Sequence, residues 1–337
     1  MTLYALASAG GAPGVTTTAL ALALSWPSRV IIAECDPAGG DILAGLLGGE
    51  LPGRTGLLPL AMEAGRSTDA VAAALWRQLI DLDPERGRLL LAGLTDPRQA
   101  AALEPSWPAI AAALATVPAD VLADCGRVDA APAVAPVLAA ASVAVLVIRP
   151  TLRHVARARQ RAELLTGLLG GPGRLVVLLA GEGQYTAREV HSALGLPVAG
   201  TLPADRKTAA MLSDGTGGRR GLSRRPLVRA AAEAGLLLRA AAVMAAGGKQ
   251  RYRAAQHAEG RSAAIPSADG RRAGGVGATL PPGVHSAGAQ CGSWLPNGGL
   301  HGAPLPGGRS GAAPPGSRLR DVAPADQSGP AGPGAGP

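Results

Sequence analysis

Short runs of Val, Ile, Leu and Ala recur along the first two thirds of the chain, each followed by a longer segment rich in Ala, Leu and Arg. Apolar residues are continuous within these runs rather than alternating, which is typical of strands covered on both faces in a parallel sheet. The predicted strands are residues 3–8, 30–35, 89–94, 121–125, 143–150, 175–181 and 197–203.

The segments between these runs have the length and composition of helices, and several begin after Ser, Thr or Pro. Strands and helices therefore alternate, which predicts an α/β fold with a doubly wound, mostly parallel sheet and helices on both faces. The predicted helices are residues 16–25, 67–80, 108–116, 152–169, 187–194 and 226–246.

The apolar periodicity stops after Gly247, where Gly, Pro, Ala, Arg and Ser dominate. Such a composition predicts disorder. We therefore expect one folded domain over residues 1–247 and a disordered tail over 248–337. The tail has 9 basic and 4 acidic residues and thus contributes +5 of the net charge of +8. That charge is compatible with weak, non-specific DNA binding, although the lack of interleaved aromatic residues favours a plain extension.

Composition excludes several classes of protein. Hydrophobic residues make up 47% of the chain, enough for a sizeable core. The three cysteines are widely spaced, which indicates buried thiols in a reducing compartment rather than disulfides or a zinc site. Glycines and a proline interrupt the first apolar stretch, and no segment reaches about 18 uninterrupted apolar residues, which argues against a signal peptide and a membrane span. We expect a cytoplasmic protein.

A glycine-rich turn joins the first predicted strand to the first helix in the sequence AGGAPGVTTTALALAL. In such a turn the backbone N–H groups, together with the helix N-terminus, form a concavity for phosphate oxygens. The sequence departs from the template GxxxxGK[ST], because Ala9 replaces its first Gly and Val15 its Lys. Thr16 is then the residue expected to bind Mg²⁺.

Two further strands place a carboxylate at their carboxyl ends. Asp36 follows VIIAEC, and Asp124 lies near the end of VLADC. In a doubly wound sheet these ends share one edge with the phosphate loop, where ligands usually bind. The sequence therefore predicts that three elements converge on one site.

The order GGxPGVTT, hhhExDPxGGD and hhhDCG, where h is an apolar residue, resembles the deviant Walker A, switch I and Walker B motifs of the MinD/ParA family of P-loop ATPases. The match is close to an actinobacterial subgroup with GxPGVTT. The later segments TLPADRKTAAMLSDG and SRRPLVRAAAEA resemble the family's base-binding loop and closing helix. The resemblance spans residues 1–247.

The resemblance implies ATP and Mg²⁺ as cofactors and assigns a role to each matching position. Asp36 would position the attacking water, Thr16 would bind Mg²⁺, Asp124 would hold Mg²⁺ through water, and Asp205 would lie near the base. The phosphate-loop positions matched in this way are Gly10, Gly11, Gly14, Val15, Thr16 and Thr17.

Two departures bear on activity, because Val15 and Gly10 replace the family's two loop lysines. Losing one charged hydrogen bond costs about 1.5 to 3 kcal/mol, or roughly a 10- to 150-fold loss of affinity. The rate of hydrolysis depends more strongly on such a cation than binding does, because one cationic group can raise the rate by about 10³ to 10⁵. A replacement from Arg219, Arg220, Arg224 or Arg225 is one hypothesis, and a solvated loop in an arginine-rich chain is the other.

The resemblance implies a role in spatial organisation, such as chromosome or plasmid partitioning, septum placement or polar positioning of pilus or secretion machinery. It also implies a nucleotide-dependent homodimer or a partner protein. Two functions stay open: a switch that hydrolyses ATP, and a non-catalytic scaffold of the same fold. A third, an amide ligase or synthetase of the wider fold group, requires a further substrate pocket.

Overall fold

A computed structural model describes residues 1–49, 55–216 and 221–262, with side chains of the last helix described to residue 247. Its sheet has eight strands in the order β3-β4-β2-β5-β1-β6-β7-β8, and every pair except β3–β4 is parallel. The strands are β1 (Leu3–Ser8), β2 (Val30–Glu34), β3 (Leu79–Asp83), β4 (Arg88–Leu91), β5 (Asp120–Arg127), β6 (Val143–Ile148), β7 (Leu175–Ala180) and β8 (Val198–Leu202).

Helices cover both faces of this sheet. They are α1 (Val15–Ser25), α2 (Leu57–Ala64), α3 (Thr68–Leu75), α4 (Ala100–Leu103), α5 (Trp107–Thr116), α6 (Ala135–Ala140), α7 (Leu152–Leu169), α8 (Ala187–Leu194), α9 (Arg206–Ser213) and α10 (Pro226–Ser262). One buried cluster joins the sheet to α2, α3, α5, α6, α7 and α8, and the other joins it to α1, α9 and α10. The predicted doubly wound α/β fold is confirmed.

Strand β3 is an antiparallel edge strand that the sequence pattern did not predict. The predicted helix over 67–80 was too long, because α3 ends at Leu75 and a 3₁₀ turn leads into the strand. In β3 the residues Ile80 and Leu82 are buried while Asp81 between them is exposed. A short alternating strand of this kind lacks the continuous apolar run that marks the central strands.

The last helix continues to Ser262, whereas the pattern predicted its end at residue 246. Residues beyond 247 include several Ala, Gln and Arg, which favour helix without producing an apolar face. The rest of the predicted tail, residues 263–337, lies outside the described residues. In the described part of the chain, no helix combines the length and apolarity needed to cross a membrane.

Candidate functional site

The turn between β1 and α1 leaves a helix N-terminus open to ligands. Gly10, Gly11 and Gly14 have φ values of +149°, +72° and +92°, a region that side-chain-bearing residues rarely adopt. Gly14 is the N-cap of α1, no side chain caps the helix, and its first turn has no acidic residue. The first N–H groups of a helix have no intrahelical partner and carry partial positive charge. The turn can therefore hold an anion.

Thr16 and Asp124 meet directly beside this turn. The Thr16 hydroxyl donates a hydrogen bond to Asp124 Oδ2 at 2.5 Å, and the Gly126 N–H donates to Asp124 Oδ1 at 3.0 Å. Burial raises the pKa of Asp124 to about 7, although these two hydrogen bonds act against the shift. A cation at this position would stabilise the ionised carboxylate.

The Asp36 carboxylate lies over Gly126, at the end of the neighbouring strand. Its Oδ1 accepts the Ala38 N–H at 2.8 Å. A Cβ atom placed on Gly126 would lie 1.8 Å from Asp36 Oδ2, so the glycine provides the space that this carboxylate occupies. The pKa of Asp36 is raised, chiefly by burial and also by the neighbouring Asp41. The hydrogen bond from the Ala38 N–H and the charge of Arg127 oppose this shift.

Gly11, Gly14, Thr16, Asp36 and Gly126 line one cavity of about 290 Å³, whereas Asp124, which is 2% exposed, lies behind Thr16 and is not among its lining residues. A second cavity, of about 450 Å³, shares Gly14 and Thr17 with the first and extends to the ends of β7 and β8. Gly181, Leu202 and Asp205 are among its lining residues. The structure thus brings most of the sequence-predicted positions to one edge of the sheet. The lining residues of the first cavity include Gly11, Gly14, Val15, Thr16, Thr17, Asp36 and Asp41.

Val15 and Gly10 differ in their surroundings. Val15 is 7% exposed and belongs to the buried cluster on the α1 face of the sheet. Gly10 does not line the first cavity but a third one of about 370 Å³, together with Arg127 and Arg157. The two positions matched to lysines therefore lie on different sides of the turn.

Asp205 is the N-cap of α9 as well as a lining residue of the second cavity. Its carboxylate accepts the Thr208 N–H at 3.0 Å and the Thr208 hydroxyl at 2.6 Å. Burial acts to raise the pKa of Asp205, but the hydrogen bonds from Thr208 outweigh it and the pKa is lowered. Its hydrogen bonds stabilise the start of α9, a helix that the sequence pattern did not predict, and its place beside a base stays a prediction.

Glu34 is a site residue that sequence reasoning missed. It is the last residue of β2 and is 2% exposed. Its carboxylate accepts the N–H of Ile42 at 2.9 Å and that of Gly93 at 3.0 Å, and burial raises its pKa. These bonds hold the loop that carries Asp36 and Asp41. An acidic residue inside an apolar strand was the available signal.

The remaining sequence predictions concern cysteines, arginines and a metal site. Cys35 and Cys125 are free thiols whose pKa values burial raises, and the prediction that these two are buried is confirmed. Arg219 and Arg220 lie outside the described residues, so the hypothesis about them stays a prediction. Among the described side chains, no group of three His, Cys, Asp or Glu residues is arranged to hold a metal. A metal here would need a hydroxyl or ligand oxygens besides Asp124.

Comparison with solved structures finds chains of the same fold. A ParA family ATPase from Chlorobium tepidum TLS matches with a TM-score of 0.56 at 16% identity, over 70% of this chain and 98% of that one. The MinC:MinD cell division protein complex of Aquifex aeolicus gives 0.55 at 16% identity, over 71% and 96%. The septum site-determining protein MinD from Pyrococcus horikoshii OT3, complexed with Mg-ADP, gives 0.53 at 15% identity, over 69% and 94%.

These likenesses establish the fold. The eight-stranded sheet with helices on both faces is that of the MinD and ParA ATPases, as the resemblance in sequence predicted. No protein-family model matches the sequence, and comparison with curated proteins finds no match.

Proposed function

We propose that this chain, which has the fold of the MinD and ParA ATPases, is an Mg²⁺-dependent ATP-binding switch protein in spatial organisation, such as partitioning or septum placement. One observation carries the proposal: the Thr16 hydroxyl contacts Asp124 Oδ2 at 2.5 Å beside an uncapped helix N-terminus. That combination supplies oxygen ligands for a divalent cation next to N–H groups for phosphate.

Backbone groups and side chains would bind different parts of the ligand. The backbone of the turn from Gly11 to Thr17 would hold the phosphates, since positive-φ glycines let it approach closely. Thr16 would bind Mg²⁺ and Asp124 would hold it through water, since Mg²⁺ usually takes only one or two protein ligands and fills its octahedron with phosphate oxygens and water. Bound Mg²⁺ would offset phosphate charge during transfer.

The two cavities fit the two ends of a nucleotide. The first, with Asp36 and Thr16, would take the phosphates, and Asp36 would orient the attacking water. The second adjoins it at Gly14 and Thr17 and has apolar walls that include Leu202 and Leu227, which suit a planar base.

The partner, the location and the domain boundary remain proposals. The MinC:MinD neighbour is a complex with a second protein. For this chain we propose a nucleotide-dependent homodimer or a partner protein, with the domain of residues 1–247 carrying the binding. Non-specific DNA binding by residues 248–337 and a cytoplasmic location stay predictions.

Calorimetry on the full chain, with ATP or ADP and with or without Mg²⁺, tests nucleotide binding. We expect Mg²⁺-dependent ATP binding at roughly tens to hundreds of micromolar, because a loop lacking its lysine loses about 10- to 150-fold in affinity. Thr16→Ala should remove the Mg²⁺ dependence, whereas Thr116→Ala, an exposed threonine at the end of α5, should not. A wild-type chain that binds no nucleotide would contradict the proposal.

A turnover assay decides between the switch and the scaffold. If the chain hydrolyses ATP, Asp36→Ala should abolish turnover while nucleotide still binds, and Asp69→Ala, an exposed aspartate of α3, should leave it unchanged. The non-catalytic scaffold is favoured by the buried side chain of Val15 and by Gly10, which place no cation in the loop. Tight binding without turnover, with DNA or partner present, would establish the scaffold.

A further inference from the structure

The phosphate loop has no positive side chain of its own. No Lys, Arg or His occurs from Ala9 to Thr17, and the side chain of Val15 is buried in the core. A nucleotide's phosphates nevertheless bring several negative charges, and phosphoryl transfer depends on cations that meet them. Any positive side-chain charge among the described residues must therefore come from basic residues on neighbouring elements.

Arg127 is positioned to face the phosphates. It is the last residue of β5, its side chain is exposed, and it lines the same cavity as Thr16 and Asp36. Among the described lining residues of that cavity it is the sole cationic one. Asp36 and Arg127 also line a further cavity together, beside Gly11, so the arginine borders the turn and the Asp36 loop alike.

Arg157 lies on the opposite side of the turn. A Cβ atom placed on Gly10 would lie 3.2 Å from both Cδ and Nη1 of Arg157, so this side chain runs along the backbone of the turn. A cavity of about 370 Å³ is lined by Gly10, Gly11, Arg127 and Arg157 together. The two arginines thus flank the Gly10–Gly11 turn from different elements.

Arg149 and His154, which contact the turn directly, serve this purpose less well. Arg149 Nη2 donates to the Ala12 carbonyl at 3.4 Å and lines the second cavity, on the side of Asp205. His154 is 4% exposed and packs beneath Gly11. Its pKa is lowered by burial and by three neighbouring arginines, so the imidazole is neutral at neutral pH and contributes no charge.

We infer that Arg127 supplies the phosphate-facing positive charge that position 15 lacks, and that Arg157 adds positive charge on the outer side of Gly10. This inference rests on the proposed function. Among the described residues no salt bridge occupies the Arg127 guanidinium. Its planar group is free to bind a phosphate through two N–H donors, which a lysine cannot do.

The test measures ATP and ADP affinity with Mg²⁺ for full-length Arg127→Ala, Arg127→Lys and Arg157→Ala. We expect Arg127→Ala to weaken ATP binding about 10- to 150-fold, the loss of one charge-assisted hydrogen bond. Arg127→Lys should retain part of the affinity, and Arg157→Ala should show a smaller loss. Arg159→Ala is the matched control, because Arg159 is an exposed arginine of the same helix α7.

The outcomes separate this inference from the proposed function. Wild-type binding together with Arg127→Ala that matches Arg159→Ala would overturn the inference alone. Absence of nucleotide binding in the wild-type chain would overturn both. An Arg219→Ala/Arg220→Ala double variant that loses affinity while Arg127→Ala keeps it would assign the charge to those two arginines and overturn the inference. Thermal unfolding midpoints equal to the wild type's would show that each variant is folded.

Discussion

Gly126 shows how closely the site depends on a single missing side chain. Its N–H donates to Asp124, and the space above its Cα is occupied by the Asp36 carboxylate. Its φ of +60° also lies in the left-handed region. One residue therefore positions both carboxylates, and a methyl group there would displace at least one of them.

Gly126→Ala should consequently impair ligand binding beyond its cost in stability. Gly195, at the end of α8, is a matched control, with φ of +67° and nothing within 4 Å of an added Cβ. Each substitution should cost about 1 to 2 kcal/mol of unfolding free energy from the left-handed backbone. Only Gly126→Ala should also weaken Mg²⁺-ATP binding, measured by calorimetry beside urea unfolding. Equal affinities of the two variants would show that the Asp36 position is irrelevant.

Residue-level sequence reasoning located some of these groups and missed others. Asp36 was located because it follows an apolar strand and Asp124 because it lies towards the end of another, and the carboxyl ends of parallel strands share an edge. The capping of α9 by Asp205 and the glycine-lined pocket of Glu34 depend on neighbours that no local pattern identifies. Arg127 was missed because the chain has many arginines and no local motif marks this one as a site residue.

At the scale of elements, α10 carries much of the core on the α1 face of the sheet. It packs against α1 and β8 through buried residues that include Leu238. Leu238 is fully buried, whereas the adjacent Leu237 is 52% exposed. The helix therefore presents neighbouring leucines to two different environments.

Leu238→Ala should lower the unfolding free energy by about 2 to 5 kcal/mol, the usual cost of an emptied core site. Leu237→Ala should change it by less than about 0.5 kcal/mol, as surface substitutions usually do. Urea unfolding followed by far-ultraviolet circular dichroism measures both. Similar losses of unfolding free energy in the two variants would mean that burial of Leu238 against the sheet does not stabilise the protein.

Element prediction succeeded where the apolar pattern was strong and local. The predicted strands correspond to all seven strands other than β3, and α7 and α8 have the predicted bounds. Helices α2, α4, α6 and α9 were missed because each has only four to eight residues, which leaves few turns over which a helical period can be detected. An edge position hid β3, because a strand covered on one face has no continuous apolar run. The long end of α10 follows helix propensity, which a search for apolar periodicity does not detect.

At the scale of the whole molecule, the buried Asp124 links stability to pH. The pKa of Asp124 rises from its ordinary 3.8 to about 7 on folding. Between these values the folded state retains a proton that the unfolded state has released, so stability falls as pH rises through this range. Above about pH 7 the folded chain contains a buried carboxylate charge, which binding of Mg²⁺ would offset.

Asp124→Asn should therefore stabilise the nucleotide-free protein more at pH 8 than at pH 5, because the amide carries no charge at either pH. Asp81→Asn, at an exposed position of β3, should shift stability little and equally at both pH values. Urea midpoints at the two pH values measure the difference. Added Mg²⁺ and ATP should raise the midpoint of the wild type but not that of Asp124→Asn. A stabilisation that does not depend on pH would contradict the assignment.

The sequence by itself determined the α/β class, most of the strands and helices, the glycine-rich turn, and the delivery of two carboxylates to its edge of the sheet. Those features follow from local chemistry: apolar runs, helix starts, and glycines that admit positive φ. Tertiary structure alone decided the strand order, the direction of β3, the burial of Val15 and the arginines that border the loop. The physical reason is distance along the chain, since 108 residues separate Thr16 from Asp124 and only packing brings them together.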